Sequence, residues 1–375
     1  MIDSISRCLN QCLRNAAIKQ TTRLLHVLII ANCVLTINCF GQARTSEERL
    51  REFLEQFPDS DLDGNGTLTR QEVREFNHKR KSDQAASKNK NRERPEPTVA
   101  DYAYGDHEKQ RFDLWTVPDA KEPTPLVIHI HGGGFRGGDK KAFNSAVVAQ
   151  YHNAGIAFAS MNYRLSDTGP YPIMMQDCAR GLQTIRHRAE RWNLDPSRVG
   201  CYGSSAGAGI SLWLAFHDDL ADPDNEDPIA RQSTRITAAA TSNGQSTYDL
   251  RTFRNWFDVP NLAPHEALIP LYGVEHVEDW QSDRVKQLMR DASPITHLSA
   301  DDNAPIYMSY SRPNSPVDGD TDPSVWVHHY RLGAKLKEAM DELDKECHLV
   351  GRETRKNGLP YRGATSFFMD KLRSE

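Results

Sequence analysis

The chain has 375 residues, enough for about two domains and a full α/β core. A net charge of -5 excludes a general nucleic-acid binder, which would carry a strongly basic balance. Of the seven cysteines, Cys8, Cys12, Cys33 and Cys39 lie near the N-terminus; Cys178, Cys201 and Cys347 remain, with no CxxC pair, which argues against a disulfide scaffold or a cysteine zinc site and predicts buried thiols.

At the N-terminus, Arg7, Arg14, Lys19 and Arg23 precede an apolar run from Leu24 to Phe40. Small residues at Gly41 and Ala43 then fit a cleavage site. Residues 1–43 are therefore expected to be a signal peptide, and the protein to be exported, periplasmic or extracellular. The alternative is a membrane anchor. It fits less well, because His26, Asn32, Thr36 and Asn38 interrupt a run already short of the roughly 20 apolar residues of a bilayer span. Contact with a membrane is expected only through this segment, if it is uncleaved.

Residues 45–80 read as a small helical unit, with Leu50, Phe53, Leu54 and Phe57 on one helical face and Val73 and Phe76 on a second short helix. Between them lies Asp61-Leu62-Asp63-Gly64-Asn65-Gly66-Thr67-Leu68-Thr69-Arg70-Gln71-Glu72. Asp61, Asp63 and Asn65 offer side-chain oxygens, Gly66 permits the sharp turn, Thr67 offers its carbonyl, Thr69 acts through water and Glu72 closes the site with both oxygens. This is the EF-hand spacing, and hard oxygen donors so arranged suit Ca²⁺. The plainer alternative is an acidic turn capping a helix. No second loop pairs with it: Asp318-Gly319-Asp320-Thr321-Asp322 begins like one, but Pro323 and His329 stand where Gly and Glu are needed. A lone site fits a structural or docking module.

Residues 81–99 are rich in Lys, Arg, Asn, Ser and Pro and form a solvated linker. A larger domain, 100–375, alternates strands and helices. Strands are expected at 100–105, 111–117, 126–130, 156–162, 198–202, 235–241, 305–310 and 347–352. Helices are expected at 142–153, 173–192, 207–216, 325–343 and 364–373. An irregular stretch at 245–295 would be a lid or an edge insertion. This alternation predicts an α/β fold with a mostly parallel, doubly wound sheet.

Two of these strands run into glycine motifs. Leu126–Ile130 leads to His131-Gly132-Gly133-Gly134-Phe135, and Arg198–Tyr202 leads to Gly203-Ser204-Ser205-Ala206-Gly207. An ester carbonyl under attack develops negative charge on oxygen. Rigid N–H donors without obstructing side chains stabilise it, and Gly133, Gly134 and Ala206 are placed to supply them. Small residues at Gly203 and Gly207 let a tight strand-to-helix turn present Ser205 as a nucleophile. His131 is read as bracing this loop rather than moving protons. Either motif alone is compatible with a glycine-rich turn of no chemical meaning.

Together, and in this order, the motifs resemble the α/β-hydrolase fold, in the esterase/lipase branch with an HGGG oxyanion motif. They resemble acetyl, feruloyl and xylan esterase-like carbohydrate esterases in particular. Asn162-Tyr163-Arg164-Leu165, Asp177, Leu194-Asp195-Pro196-Ser197-Arg198 and Ser293-Pro294-Ile295 add to it. The resemblance covers about residues 100–373 and leaves the EF-hand outside. It implies hydrolysis of small carboxylic esters, polysaccharide-linked ones among them, through an acyl-enzyme and without a catalytic cofactor.

The proton-handling half departs from that pattern. The family carries its acid after the penultimate strand, here Pro305–Tyr310, where Asn314 stands near the expected place. Asp318, Asp320 and Asp322 follow, either as a shifted acid or as a solvated turn capping the next helix. The family histidine follows the last strand, but Glu353–Ala364 contains none, and His348 would point away. His328 and His329 are the remaining candidates for the base, with a slight preference for His329. Three readings stay open: an exported serine esterase, a catalytically degenerate hydrolase-like binding protein, and a calcium-dependent scaffold.

Overall fold

The computed structural model describes residues 50–51, 54–55, 60–62, 65–69, 72–73, 76, 95–352 and 360–373. The expected signal peptide, Asp63 of the expected calcium-binding loop, most of the expected linker and most of the loop after the last strand lie outside the described residues. The chain divides into two compact units, Met1–Asn91 and Arg92–Glu375. Among the described residues no helix is long and apolar enough to cross a membrane.

The larger unit holds one eight-stranded sheet. Its strands are β1 (Val99–Ala103), β2 (Arg111–Trp115), β3 (Thr124–Ile130), β4 (Ala157–Met161), β5 (Leu194–Ser204), β6 (Ala238–Ser242), β7 (Ile306–Ser309) and β8 (Cys347–Val350). Their spatial order is β1-β2-β4-β3-β5-β6-β7-β8. β2 pairs antiparallel with β1 and β4; every other pairing is parallel. All eight expected strands are present. Parallel strands are covered on both faces, which is why β3 is buried at every position. Leu126, Ile128 and Ile130 face one core cluster, and Val127 the other. Each such side chain contributes roughly 1.5–3 kcal/mol by leaving water. Cys178, Cys201 and Cys347 are free and buried, as their positions predicted.

The helices are α1 (Ala146–His152), α2 (Ile173–His187), α3 (Ala206–Phe216), α4 (Leu250–Phe257), α5 (Leu268–Tyr272), α6 (Asp283–Asp291), α7 (Pro323–Trp326), α8 (Tyr330–Glu342) and α9 (Ala364–Lys371). This is the α/β-hydrolase fold. The stretch 245–295 is not irregular: α4 starts on an Asp249 cap and ends on left-handed Asp258, and α6 starts on a Ser282 cap.

The expected single helix over 325–343 is two. α7 begins at Pro323 behind an Asp322 cap, and α8 restarts at Tyr330 behind His329, whose backbone is extended (φ -76°, ψ 141°). This break decides where the two histidines go.

In the smaller unit, Leu50, Arg51, Leu54 and Glu55 are helical before the loop, and Glu72, Val73 and Phe76 after it.

Candidate active site

The register of the sheet brings the two glycine motifs together. β3 and β5 are parallel neighbours, with His129 opposite Tyr202 and Ile130 opposite Gly203. Their carboxyl ends therefore emerge side by side, at the edge where open α/β sheets build sites.

Ser205 sits between β5 and α3 with φ 51° and ψ -121°, a conformation costly for a residue with a Cβ. The turn is tight because the backbones nearly touch. A Cβ on Gly203 would lie 2.2 Å from the Gly207 carbonyl carbon, and one on Gly207 would lie 2.0 Å from the Ile130 oxygen. The Ser205 N–H donates to the Ser242 carbonyl (3.0 Å), which helps hold the turn.

Facing it is the loop after β3. Gly133 adopts φ 114°, and a Cβ there would meet the Gly137 oxygen at 2.1 Å. His131 braces this loop: its Nδ1–H donates to the Gly132 carbonyl (2.7 Å) and its ring stacks on Tyr163 (4.4 Å). Tyr163 in turn donates to the His131 carbonyl (2.9 Å). Burial pushes the His131 pKa down, so the ring is neutral. The neighbouring loop after β4 is fixed by Asp177, a buried residue of α2, which accepts from both Nε and Nη2 of Arg164 and from the side-chain amide of Gln110.

A cleft of about 530 Å³ is lined by Gly133, Gly134, Ser205, Ala206 and His328. Among the described residues, the N–H groups of Gly133, Gly134 and Ala206 have no protein acceptor. Phe135, Tyr248, Phe253, Leu268 and Val327 make its apolar side. Arg136 and Glu266 pair at 2.7 Å where the cleft opens.

The helix break sends His328 into this cleft. Its Nε2 lies 2.8 Å from Ser205 Oγ, and its Nδ1–H donates to the Ser324 carbonyl at 2.8 Å. With the proton on Nδ1, Nε2 turns its lone pair to the Ser205 hydroxyl. Burial lowers the His328 pKa most; Arg312 lowers it further, while the Ser324 carbonyl opposes both. The ring is therefore neutral at pH 7.

The preference for His329 is corrected here. As the cap of α8 its Nδ1 accepts from the Arg331 N–H (3.0 Å), and its Nε2–H donates to the Ser315 carbonyl (2.8 Å). The ring is buried edge-on against Phe257. Both nitrogens are committed away from Ser205.

The acid expected at Asp318 or Asp320 is also corrected. Both are exposed on the loop before α7. Asp318 accepts from Thr321 Oγ1 (2.7 Å) and from the Asp320 N–H, while Asp322 caps α7 through the Ser324 N–H (2.8 Å). They are the capping turn. Among the described residues no carboxylate reaches His328, and the Ser324 carbonyl stands where the acid would. His348 bonds Glu346 and packs on Tyr361, away from the cleft.

Three cleft features carried no sequence signal: the Ser324 carbonyl, because any residue type supplies one; His265, whose Nδ1 accepts from the Ala267 N–H; and the Arg136–Glu266 pair.

Known proteins resemble this chain in sequence and in fold. The BD-FAE family profile matches residues 112–329. The "Probable carboxylic ester hydrolase LipM" of Mycobacterium tuberculosis (strain ATCC 25618 / H37Rv) is 26% identical over 220 residues, 58% of this chain and 48% of its own. The "Probable isoprenylcysteine alpha-carbonyl methylesterase ICMEL1" of Arabidopsis thaliana is 24% identical over 256 residues, 68% of this chain and 52% of its own. The chain thus spans about half the length of these curated relatives. Among solved structures, a "truncated form of carbohydrate esterase from gut microbiota" superposes with a TM-score of 0.56 at 18% identity, covering 75% of this chain and 98% of that one. An acetyl ester-xyloside bifunctional hydrolase from Caldicellulosiruptor lactoaceticus gives 0.52 at 19% identity, covering 69% and 86%. At such identities the superpositions speak for the fold alone. The family match spans more than half of the sequence, and the chain belongs to the BD-FAE family.

Proposed function

We propose that the protein is an exported serine carboxylesterase that hydrolyses short acyl esters through an acyl-enzyme on Ser205. The observation that carries this reading is the 2.8 Å contact of Ser205 Oγ with His328 Nε2, beside the N–H groups of Gly133, Gly134 and Ala206. Ser205 Oγ attacks the ester carbonyl as its proton passes to His328 Nε2. The carbonyl oxygen becomes an oxyanion held by the three N–H donors. The C–O bond to the alcohol then breaks, and the alcohol leaves with the proton from His328. Water, deprotonated by the same nitrogen, attacks the acyl-enzyme; the carboxylic acid departs and Ser205 regains its proton.

The Ser324 carbonyl holds the tautomer and partly offsets the charge of the imidazolium. A carboxylate would do the second task more strongly. That difference is what favours the second reading, a hydrolase-like protein that binds esters without turnover. Hydrolysis of p-nitrophenyl acetate separates them: the esterase reading expects turnover that Ser205→Ala abolishes, and equal rates in both proteins would leave only binding. A polysaccharide-linked alcohol follows from the family resemblance, and release of acetate from acetylated xylan is its test.

We also infer that the loop from Asp61 to Glu72 binds Ca²⁺ as a structural module. The donors fit. Asp61 accepts from the N–H groups of Asn65 (3.2 Å) and Gly66 (2.7 Å), Gly66 takes φ 77°, and Glu72 folds back onto the N–H groups of Leu62 and Thr69. Asp61, Asn65, the Thr67 carbonyl and Glu72 would hold the ion, with Asp63 by sequence. It would order the loop and takes no part in ester cleavage.

A further inference from the structure

The helix that starts at the nucleophile ends at a second cluster of chemistry-bearing side chains. His217 directly follows α3, Asp291 is the last residue of α6, and His297 follows the short turn Pro294–Thr296. One nitrogen or oxygen from each of the three lies within 4.8 Å of the others. His217 lies twelve positions after Ser205, so the cluster is about 18 Å from the nucleophile along the helix.

Each side chain is held by a partner of its own. His217 Nδ1–H donates to the Asp218 carbonyl (2.9 Å), which leaves the lone pair on Nε2. His297 Nε2–H donates to the Asp291 carbonyl (2.6 Å), which leaves the lone pair on Nδ1. Asp291 Oδ2 accepts from the buried Tyr171 hydroxyl (2.7 Å). The Trp213 ring packs on His217 at 3.9 Å, and the two imidazoles lie 4.7 Å apart. Imidazoles with their second nitrogen on a carbonyl, and a carboxylate with its own hydrogen bond, are how metal ligands are oriented. The two helix C-termini meeting here add partial negative charge that favours a cation.

We propose that His217, Asp291 and His297 bind a borderline divalent metal ion, with Zn²⁺ as the best match. Two nitrogens and one carboxylate suit Zn²⁺ and disfavour Ca²⁺ or Mg²⁺, which seek oxygen. A three-residue set leaves a fourth position for water. His297 and Asp291 also line a hollow of about 500 Å³ with Arg251, Lys286 and Arg290. The ion clips the end of α3 to α6 and to the turn after it, so it fastens the nucleophile's helix to the 245–295 segment. This proposal does not depend on the esterase reading.

The test uses the full chain saturated with Ca²⁺, so that the EF-hand is filled. Titration calorimetry with Zn²⁺, and visible spectra with Co²⁺ in its place, report binding directly. The expected result is one Zn²⁺ per chain, a raised melting temperature, and Co²⁺ bands of a low-coordinate nitrogen and oxygen site. His217→Gln and His297→Gln should each weaken binding by about 100-fold, at the upper end of what loss of an orienting partner costs. Tyr171→Phe, which removes only the hydroxyl on Asp291, should weaken it by about tenfold and guards against a misfolded ligand variant. No heat with micromolar Zn²⁺, or undiminished binding in folded ligand variants, would overturn the proposal.

Discussion

Replacing His328 and His329 by alanine, one at a time, separates two neighbouring side chains of the same type by what each touches. His328→Ala removes the only imidazole nitrogen on Ser205 among the described residues. Loss of a positioned general base costs about 10²–10⁴ in rate, and loss of its proton-transfer role to the leaving alcohol sets the upper figure, about 5.5 kcal/mol of barrier. Stability should change little, because the ring lies in an open cleft. His329→Ala does the reverse. It removes the cap of α8, about 1 kcal/mol, the hydrogen bond to Ser315, about 1 kcal/mol, and the edge contact with Phe257 at 5.1 Å, about 1 kcal/mol. The sum is about 3 kcal/mol of stability, with kcat on p-nitrophenyl acetate near the parent value while the protein stays folded. Urea melts and initial rates on the two variants give both numbers. A dead but fully stable His329→Ala, beside an active His328→Ala, would refute the assignment of the base.

Other outcomes follow from the same contacts. Because His328 must be neutral to act and its pKa is lowered, the acidic limb of the kcat/KM profile should fall below the ordinary histidine value of about 6.5. Arg312→Ala removes a cation that lowers it and should move the limb to higher pH; an unmoved limb would take Arg312 out of the account. Lys140 Nζ is buried against Asp113 (2.5 Å) and also reaches Asp101 (2.9 Å). Lys140→Met strands the Asp113 carboxylate and should cost about 3–5 kcal/mol in denaturant melts, most of it recovered when Asp113 is changed to Leu as well. If the loop binds calcium, the ion should raise the thermal transition of the smaller unit. Glu72→Gln should remove that rise without touching ester hydrolysis, and a rise that persists in the variant would count against the loop.

The sheet was legible because buried parallel strands leave apolar runs, and the glycine motifs because a backbone contact such as Gly207 against Ile130 admits no side chain. The 245–295 helices carried readable signals that went unassigned: Leu250, Phe253 and Phe257 repeat at helical spacing behind Asp249, and Ser282 precedes α6. Asp322 followed by Pro323 likewise marks the start of α7. The break at His329 had no such mark. Histidine is not a preferred cap, and Val325, Leu332 and Leu336 keep the spacing of a single helix face across it. Reading one helix left two adjacent histidines nearly level and tipped the choice to His329, whereas the break turns His328 into the cleft and His329 into the core. The stand-in for the acid was beyond reach, since a carbonyl such as that of Ser324 belongs to the backbone.

The central claim is that Ser205 is an activated nucleophile. The most direct measurement is a fluorophosphonate reaction followed by peptide mapping, on the parent protein, Ser205→Ala and His328→Ala. The account predicts a single adduct on Ser205, absent from Ser205→Ala and formed far more slowly in His328→Ala. An unlabelled Ser205 in the folded parent protein, or labelling as fast without His328, would contradict it.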